Sequence, residues 1–200
     1  MKMVAVTGAL AMENADEDDD IDLMIITSKN RLWITRPLVF LLVSLFFKRR
    51  KSTTKNKEQK TENNDNAICL NLWLDESALE IPESQRNLYT AHELAQMKPI
   101  INKDGTYEEM MAKNAWGKEY LVNAWERLEG WQVNKLKRSS HFQPFDLFSL
   151  LNLLAFNSQF WYMKPKMTNE RVSINSAFFH PGNRADTILK AYDRLCYRSF

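Results

Sequence analysis

Two cysteines in 200 residues, Cys69 and Cys196, leave no CxxC pair and no disulfide framework, so a reducing cytoplasm is the default expectation. Glycine is scarce, with five residues. No GxxxxGK[ST] and no GxSxG occurs, so neither P-loop chemistry nor a serine nucleophile elbow has support. His92-Glu93 opens an HExxH zinc motif, but Gln96 stands where the second histidine belongs. No internal repeat of about 20 to 50 residues is present. No apolar run reaches the roughly 20 residues of a membrane-spanning helix. The opening MKMVAVTGAL has no apolar core of signal-peptide length. A net charge of +2 does not by itself call for nucleic acid.

What is present is a real core and one organised stretch. Apolar content of 44% over 200 residues suits one domain, or a small domain with a helical extension. Val4 to Thr27 reads as strand, glycine turn, short helix, acidic loop and strand. Met3 to Thr7 is apolar and β-branched, as a buried strand requires. Gly8 ends it, and Ala9-Leu10-Ala11-Met12 favours a helix. A glycine between strand and helix lets backbone approach a ligand closely, and free N–H groups at a helix start suit a phosphate. Asp20 and Asp22 flank Ile21 at the start of the second strand and share one face. Adjacent carboxylates repel and cost desolvation unless a cation lies between them, and Mg²⁺ is the natural one.

This arrangement resembles the DNA polymerase beta-like nucleotidyltransferase superfamily. The residues that carry the resemblance are Val4-Ala5-Val6-Thr7, Gly8-Ala9, and Asp20-Ile21-Asp22 followed by Leu23-Met24-Ile25-Ile26. It covers about the first 75 residues. The resemblance implies an α+β fold: a small mixed sheet with helices on it over residues 1–80, then a helical region over 81–200. It implies Mg²⁺ held by Asp20 and Asp22, phosphates of a nucleoside triphosphate at Gly8 and Ala9, and transfer of a nucleotidyl group to a hydroxyl. The acceptor is left open among a protein, a small molecule and an RNA end. Members of this superfamily usually carry a helix ahead of the first strand, so the start at Met1 implies a truncated chain or cover from elsewhere.

Two positions depart from the pattern. Ala9 replaces the usual serine, so a hydroxyl for phosphate is absent. The third carboxylate normally sits on a later strand, here Ala67 to Leu74. Strict alternation puts Ile68, Leu70, Leu72 and Leu74 on one face and Cys69, Asn71 and Trp73 on the other. Asn71 then occupies the place of the acid. An amide ligates a metal through its carbonyl but is no general base. Asp75 and Glu76 are nearby alternatives. Two further readings stay open: a nucleotide-binding module without turnover, and a membrane-peripheral or oligomeric interaction protein.

Charge is unevenly spread. Residues 1–30 hold seven acids against Lys2 and Lys29, whereas residues 48–60 hold seven lysines and arginines against Glu58. The polar segment 48–66 reads as a mobile loop. Leu38 to Phe47 is apolar but for Ser44, with Pro37 fitted to a first helical turn, and reads as a buried helix on the sheet. Its basic flank, Lys48-Arg49-Arg50-Lys51, also suits a membrane-surface helix. Thr90 to Glu93 and Thr106 to Glu109 offer capping boxes. The first opens a helix stopped by Pro99, and the second a helix running to about Trp131. That helix carries Met110, Met111, Trp116, Tyr120, Leu121, Trp125 and Leu128 as core. After a basic patch at Lys135 to Arg138, a helix from about Asp146 to Tyr162 is apolar nearly all round and should be buried or shared with a partner. It ends in Phe160 to Lys166, aromatics mixed with lysines. His180 reads as structural. A last helix carries Ile188, Leu189, Tyr192, Leu195 and Cys196 on one stripe.

Overall fold

Three short apolar strands pair at the centre of the molecule: β1 (Met3–Val6), β2 (Ile21–Thr27) and β3 (Ile68–Asp75). The computed structural model describes residues 1–16, 19–47, 67–132, 147–167, 170–179 and 184–197. β1 runs antiparallel to β2, while β2 and β3 are parallel, which demands a crossover between them. The second half of the chain completes the same sheet. β4 (Lys98–Asn102) pairs with the outer side of β1, β6 (Ser176–Phe178) with β3, and β5 (Arg171–Val172) with β6. The order is β4-β1-β2-β3-β6-β5, a mixed sheet in an α+β fold.

Helices cover both faces. α1 (Gly8–Ala11) is a single turn after β1. α2 (Leu32–Phe46) and α6 (Leu147–Met163) lie on the face that carries Ile25, Leu70 and Trp73. α3 (Leu88–Gln96), α4 (Thr106–Lys113) and α5 (Val122–Gln132) supply Leu94, Met110, Met111 and Trp125 against Met24, Ile26 and Leu74 on the other. α7 (Arg184–Tyr197) packs beside α3.

Strict alternation fails in β3. Asp22 lies opposite Cys69, but Met24 lies opposite Leu72, so β3 carries one extra residue. This β-bulge reverses the phase of the strand. Ile68, Leu70 and Trp73 therefore share one core, and Leu72 and Leu74 belong to the other. The bulge is braced by the Trp73 indole, whose Nε1 donates to Leu70 O at 3.0 Å.

Helix starts also differ from expectation. α3 is capped by Asn87, with Thr90 at the third helical position. Thr90 N donates to Asn87 Oδ1 at 3.0 Å and Asn87 N to Thr90 Oγ1 at 3.1 Å. Gly105, with φ of 69°, caps α4, so Thr106 is its first residue. The long helix expected to reach Trp131 is broken after Lys113 by Asn114, and a 3-10 turn (Ala115–Glu119) precedes α5. Asn114 is fully buried and Nδ2 donates to Leu79 O at 2.8 Å and Met110 O at 2.7 Å. Its Oδ1 accepts from Ile81 N at 2.8 Å and Trp116 Nε1 at 3.0 Å. That amide ties the Leu79–Ile81 segment to the break. Tyr120 is exposed rather than core, and the side chain of Leu128 lies outside the described residues.

The two apolar helices are not buried as expected. α2 contains Pro37 inside its length and buries only Leu32 and Trp33 below the exposure of a core residue. Leu38, Leu41, Leu42, Leu45 and Phe46 are all more than half exposed. α6 buries Ser149 and Asn152 instead of its leucines. Among the described residues no helix is long and apolar enough to cross a membrane. Segment 48–66, Lys135 to Arg138, Pro144 and His180 lie outside the described residues.

Candidate functional site

β1 and β2 are joined so that the turn after one strand meets the start of the next. Thr7 N donates to Asp22 O at 2.9 Å, which holds the end of β1 against the beginning of β2. Gly8 then takes φ of +66°, the left-handed region that favours glycine. A Cβ on Gly8 would collide with the Asp22 carboxylate at Oδ2. Only the missing side chain lets the turn lie against that carboxylate. α1 is four residues long, so its dipole is far smaller than that of a full helix, and the expected anion cradle rests on turn amides rather than on a macrodipole.

Asp22 is half-buried on the Met24 face of β2. Its Oδ1 accepts from Asn71 Nδ2 at 2.8 Å across the parallel pair. Asn71 is buried, at 6% exposure. Its amide thus lies where the sequence placed it, beside the second aspartate, and the bulge puts it on the same side as Leu72. Asp20, two residues before Asp22, is half-buried at the same mouth.

All of these groups but Asn71 border one cavity of about 620 Å³. Thr7, Gly8, Ala9, Asp20 and Asp22 line one side, joined by Asp19. Its floor is apolar, from Met24, Leu72, Leu74 and Met110. Gln85, Tyr89 and Glu93 close it from α3 and the turn before it, and Arg171 and Phe178 from β5 and β6. The structure therefore brings Gly8, Ala9, Asp20, Asp22 and Asn71 together at one place.

The proposed substitutes for a third acid do not join them. Asp75 ends β3, three residues beyond Leu72, and is fully buried. Asn30 N donates to its Oδ2 at 3.0 Å and Ser77 N to its Oδ1 at 2.8 Å, so it pins the two loops at the C-terminal ends of β2 and β3. Glu76 accepts from Lys29 N at 3.2 Å and lies 3.4 Å from Lys2 Nζ. Neither borders the cavity.

A divalent ion is tested by the donor set. Two half-buried carboxylates are hard oxygen donors suited to Mg²⁺, which commonly takes one or two carboxylates and completes its shell with water and phosphate. Among the described residues no three His, Cys, Asp or Glu side chains gather into a self-sufficient metal site. The set fits an ion bound together with a substrate rather than a resident structural metal.

Sequence reasoning missed Arg171, Tyr89 and Glu93 as cavity residues. Arg171 sits in a strand of two residues, too short to leave a periodic signal, and Tyr89 and Glu93 sit inside an ordinary amphipathic helix. Only the chain path brings them to the aspartates.

The chain matches no family model, no curated protein and no solved structure.

Proposed function

We propose that the protein is a metal-dependent nucleotidyltransferase, moving a nucleotidyl group from a nucleoside triphosphate to a hydroxyl acceptor. The observation that carries the reading is Gly8 packed against the Asp22 carboxylate with Asp20 at the same cavity mouth. A DxD pair at the mouth of a strand, a glycine bend after the preceding strand and a cavity beside both are the parts this chemistry needs.

Asp20 and Asp22 would hold Mg²⁺, which when bound neutralises phosphate charge and stabilises the leaving pyrophosphate. The backbone at Gly8 and Ala9 contacts the phosphate tail. Arg171, on the far wall, supplies a guanidinium suited to a phosphate oxygen. Tyr89 offers a ring beside the base. Glu93 is the lining carboxylate outside the Asp19 to Asp22 cluster, and takes the proton of the acceptor hydroxyl in this reading. Asn71 positions Asp22 through its amide donor.

Transfer from labelled ATP, GTP, CTP or UTP into any acceptor, abolished by Asp20→Asn and by Asp22→Asn, is the expected result. Mg²⁺-dependent nucleotide binding with no transfer under any condition identifies the second reading, a nucleotide-binding module. Asn71 in place of an acid and Ala9 in place of a serine favour that second reading. Absence of both binding and transfer removes the nucleotide from the account.

A further inference from the structure

α2 and α6 pair polar groups along their shared seam, around an apolar contact of the Trp33 and Phe156 rings. Trp33 N donates to Asn152 Oδ1 at 2.8 Å, Gln159 Nε2 to Trp33 O at 2.7 Å, and Arg36 Nη1 to Gln159 Oε1 at 2.9 Å. Asn30 Nδ2 donates to Ser149 Oγ at 3.2 Å. The cations of α2 turn inward as well. The Arg36 guanidinium lies 4.6 Å from the Phe40 ring centre and 4.5 Å from that of Phe179. Arg31, which caps the helix, lies 4.6 Å from the ring centre of Phe148.

The outward faces are apolar and follow helical spacing. On α2 they are Leu38, Leu41, Leu42, Leu45 and Phe46, a stripe at i, i+3, i+4, i+7 and i+8. On α6 they include Leu147, Leu150, Leu151, Leu154 and Trp161, interrupted by exposed Asn157 and Ser158. In a chain surrounded by water such stripes belong in the core. Here polar groups pair with one another inside while leucines face out, an arrangement suited to an apolar outer medium.

The C-terminal end of α6 decides what that medium is. Trp161 is 81% exposed and Tyr162 65%. Lys164 and Lys166 follow at once, with Lys166 Nζ 4.0 Å from the Tyr162 ring centre. Exposed Trp and Tyr next to lysines at a helix end are the side chains of a bilayer interface, with cations set to meet anionic headgroups. The contacts pair residue 30 with 149, 33 with 152 and 36 with 159, so α2 and α6 run in the same direction. In the sequence, α2 is followed by Lys48-Arg49-Arg50-Lys51, of the same sign. The 15 residues of α2 and 17 of α6 span about 22 and 26 Å, short of the roughly 30 Å hydrocarbon core.

We propose that the outer face of α2 and α6 is a docking surface for an anionic lipid bilayer, with the two helices seated in the interface and the cavity on the opposite face of the sheet, turned away from the membrane. The test is co-flotation of the full chain with phosphatidylcholine vesicles and with phosphatidylcholine–phosphatidylserine vesicles. The expected result is binding to the mixed vesicles that weakens with salt. Leu41→Glu combined with Leu45→Glu should lower that binding at least about tenfold, with an unchanged far-ultraviolet circular dichroism spectrum and melting temperature, since both residues are exposed. Lys164→Glu with Lys166→Glu should lower it roughly tenfold on mixed vesicles and leave neutral ones unaffected. Brominated lipid should quench tryptophan emission less in Trp161→Phe than in the parent. Failure to float with either vesicle overturns the proposal. So does a dimer in light scattering that the same glutamates dissociate while vesicles stay unbound, which would assign the face to a second copy.

Discussion

Asn71 Nδ2 donates to Asp22 Oδ1 at 2.8 Å across a parallel strand pair, behind a carboxylate that lines the cavity. An amide donor there keeps the aspartate in place without adding charge. A carboxylate at that position would repel Asp22 until a cation arrived.

Asn71→Asp should therefore be a conditional destabiliser. Without divalent ions it should cost about 1 to 3 kcal/mol, because a buried donor is replaced by a like charge. Added Mg²⁺ should recover much of the loss by binding only the folded state. Melting curves in chelator and in Mg²⁺ read this directly, and the Mg²⁺-dependent rise should exceed that of the parent.

Gly8→Ala adds a methyl where the Asp22 carboxylate sits, at a backbone angle that L side chains rarely adopt. A loss of about 1 to 3 kcal/mol is expected from strain and displacement together. Mg²⁺-dependent nucleotide binding should fall further than stability does. Equal effects on both would reduce Gly8 to a folding residue.

Asn114→Ala removes four hydrogen bonds from a fully buried position. Ile81 N–H and Leu79 C=O lose their partner in the interior, so a loss of about 3 kcal/mol or more is expected. The urea midpoint should drop with little change in slope. Gly117→Ala acts nearby by a different route, since its methyl would enter the Trp125 ring; about 1 to 3 kcal/mol is expected from overpacking.

Alkaline pH should weaken the fold. Lys2 donates to Asp104 at 2.6 Å, and that hydrogen bond, with Glu76 nearby, raises its pKa above the ordinary 10.5. Burial, with Glu108 beside it, raises Tyr107 above the ordinary 10.0. In both cases the folded state keeps its proton longer than the unfolded one. Their contribution is complete below the unfolded values and disappears as pH climbs through the raised ones. Melting temperatures should fall from about pH 10 upward. The fall should be shallower in Lys2→Met and in Tyr107→Phe.

The sequence made β1 and β2 visible because their residues are β-branched and apolar, with aspartates marking the strand start. The nearness of Gly8 to Asp22 was legible from the glycine turn and the strand start, whereas the contact of Asn71 with Asp22 sits at a bulge that alternation does not register. β4 stayed hidden because Pro99 and Lys98 suit an edge strand with no inward face, which periodicity does not register. The helix start at Asn87 was masked by a stronger Thr-x-x-Glu pattern three residues on. Leu38 to Phe47 reads as buried because hydrophobicity states a preference for leaving water, not which surface provides the escape. Gly117 offered no sequence cue, since its need arises from a ring eight residues later.

The extra residue in β3 makes that strand two half-strands of opposite phase. An engineer who tidied it by deleting one position between Cys69 and Leu72 would rotate either the amide or the leucines by half a turn. The cavity would lose its floor or its aspartate its tether, while every strand still paired. The irregular spacing is thus what allows a polar corner and an oily base to be cut from the same eight residues.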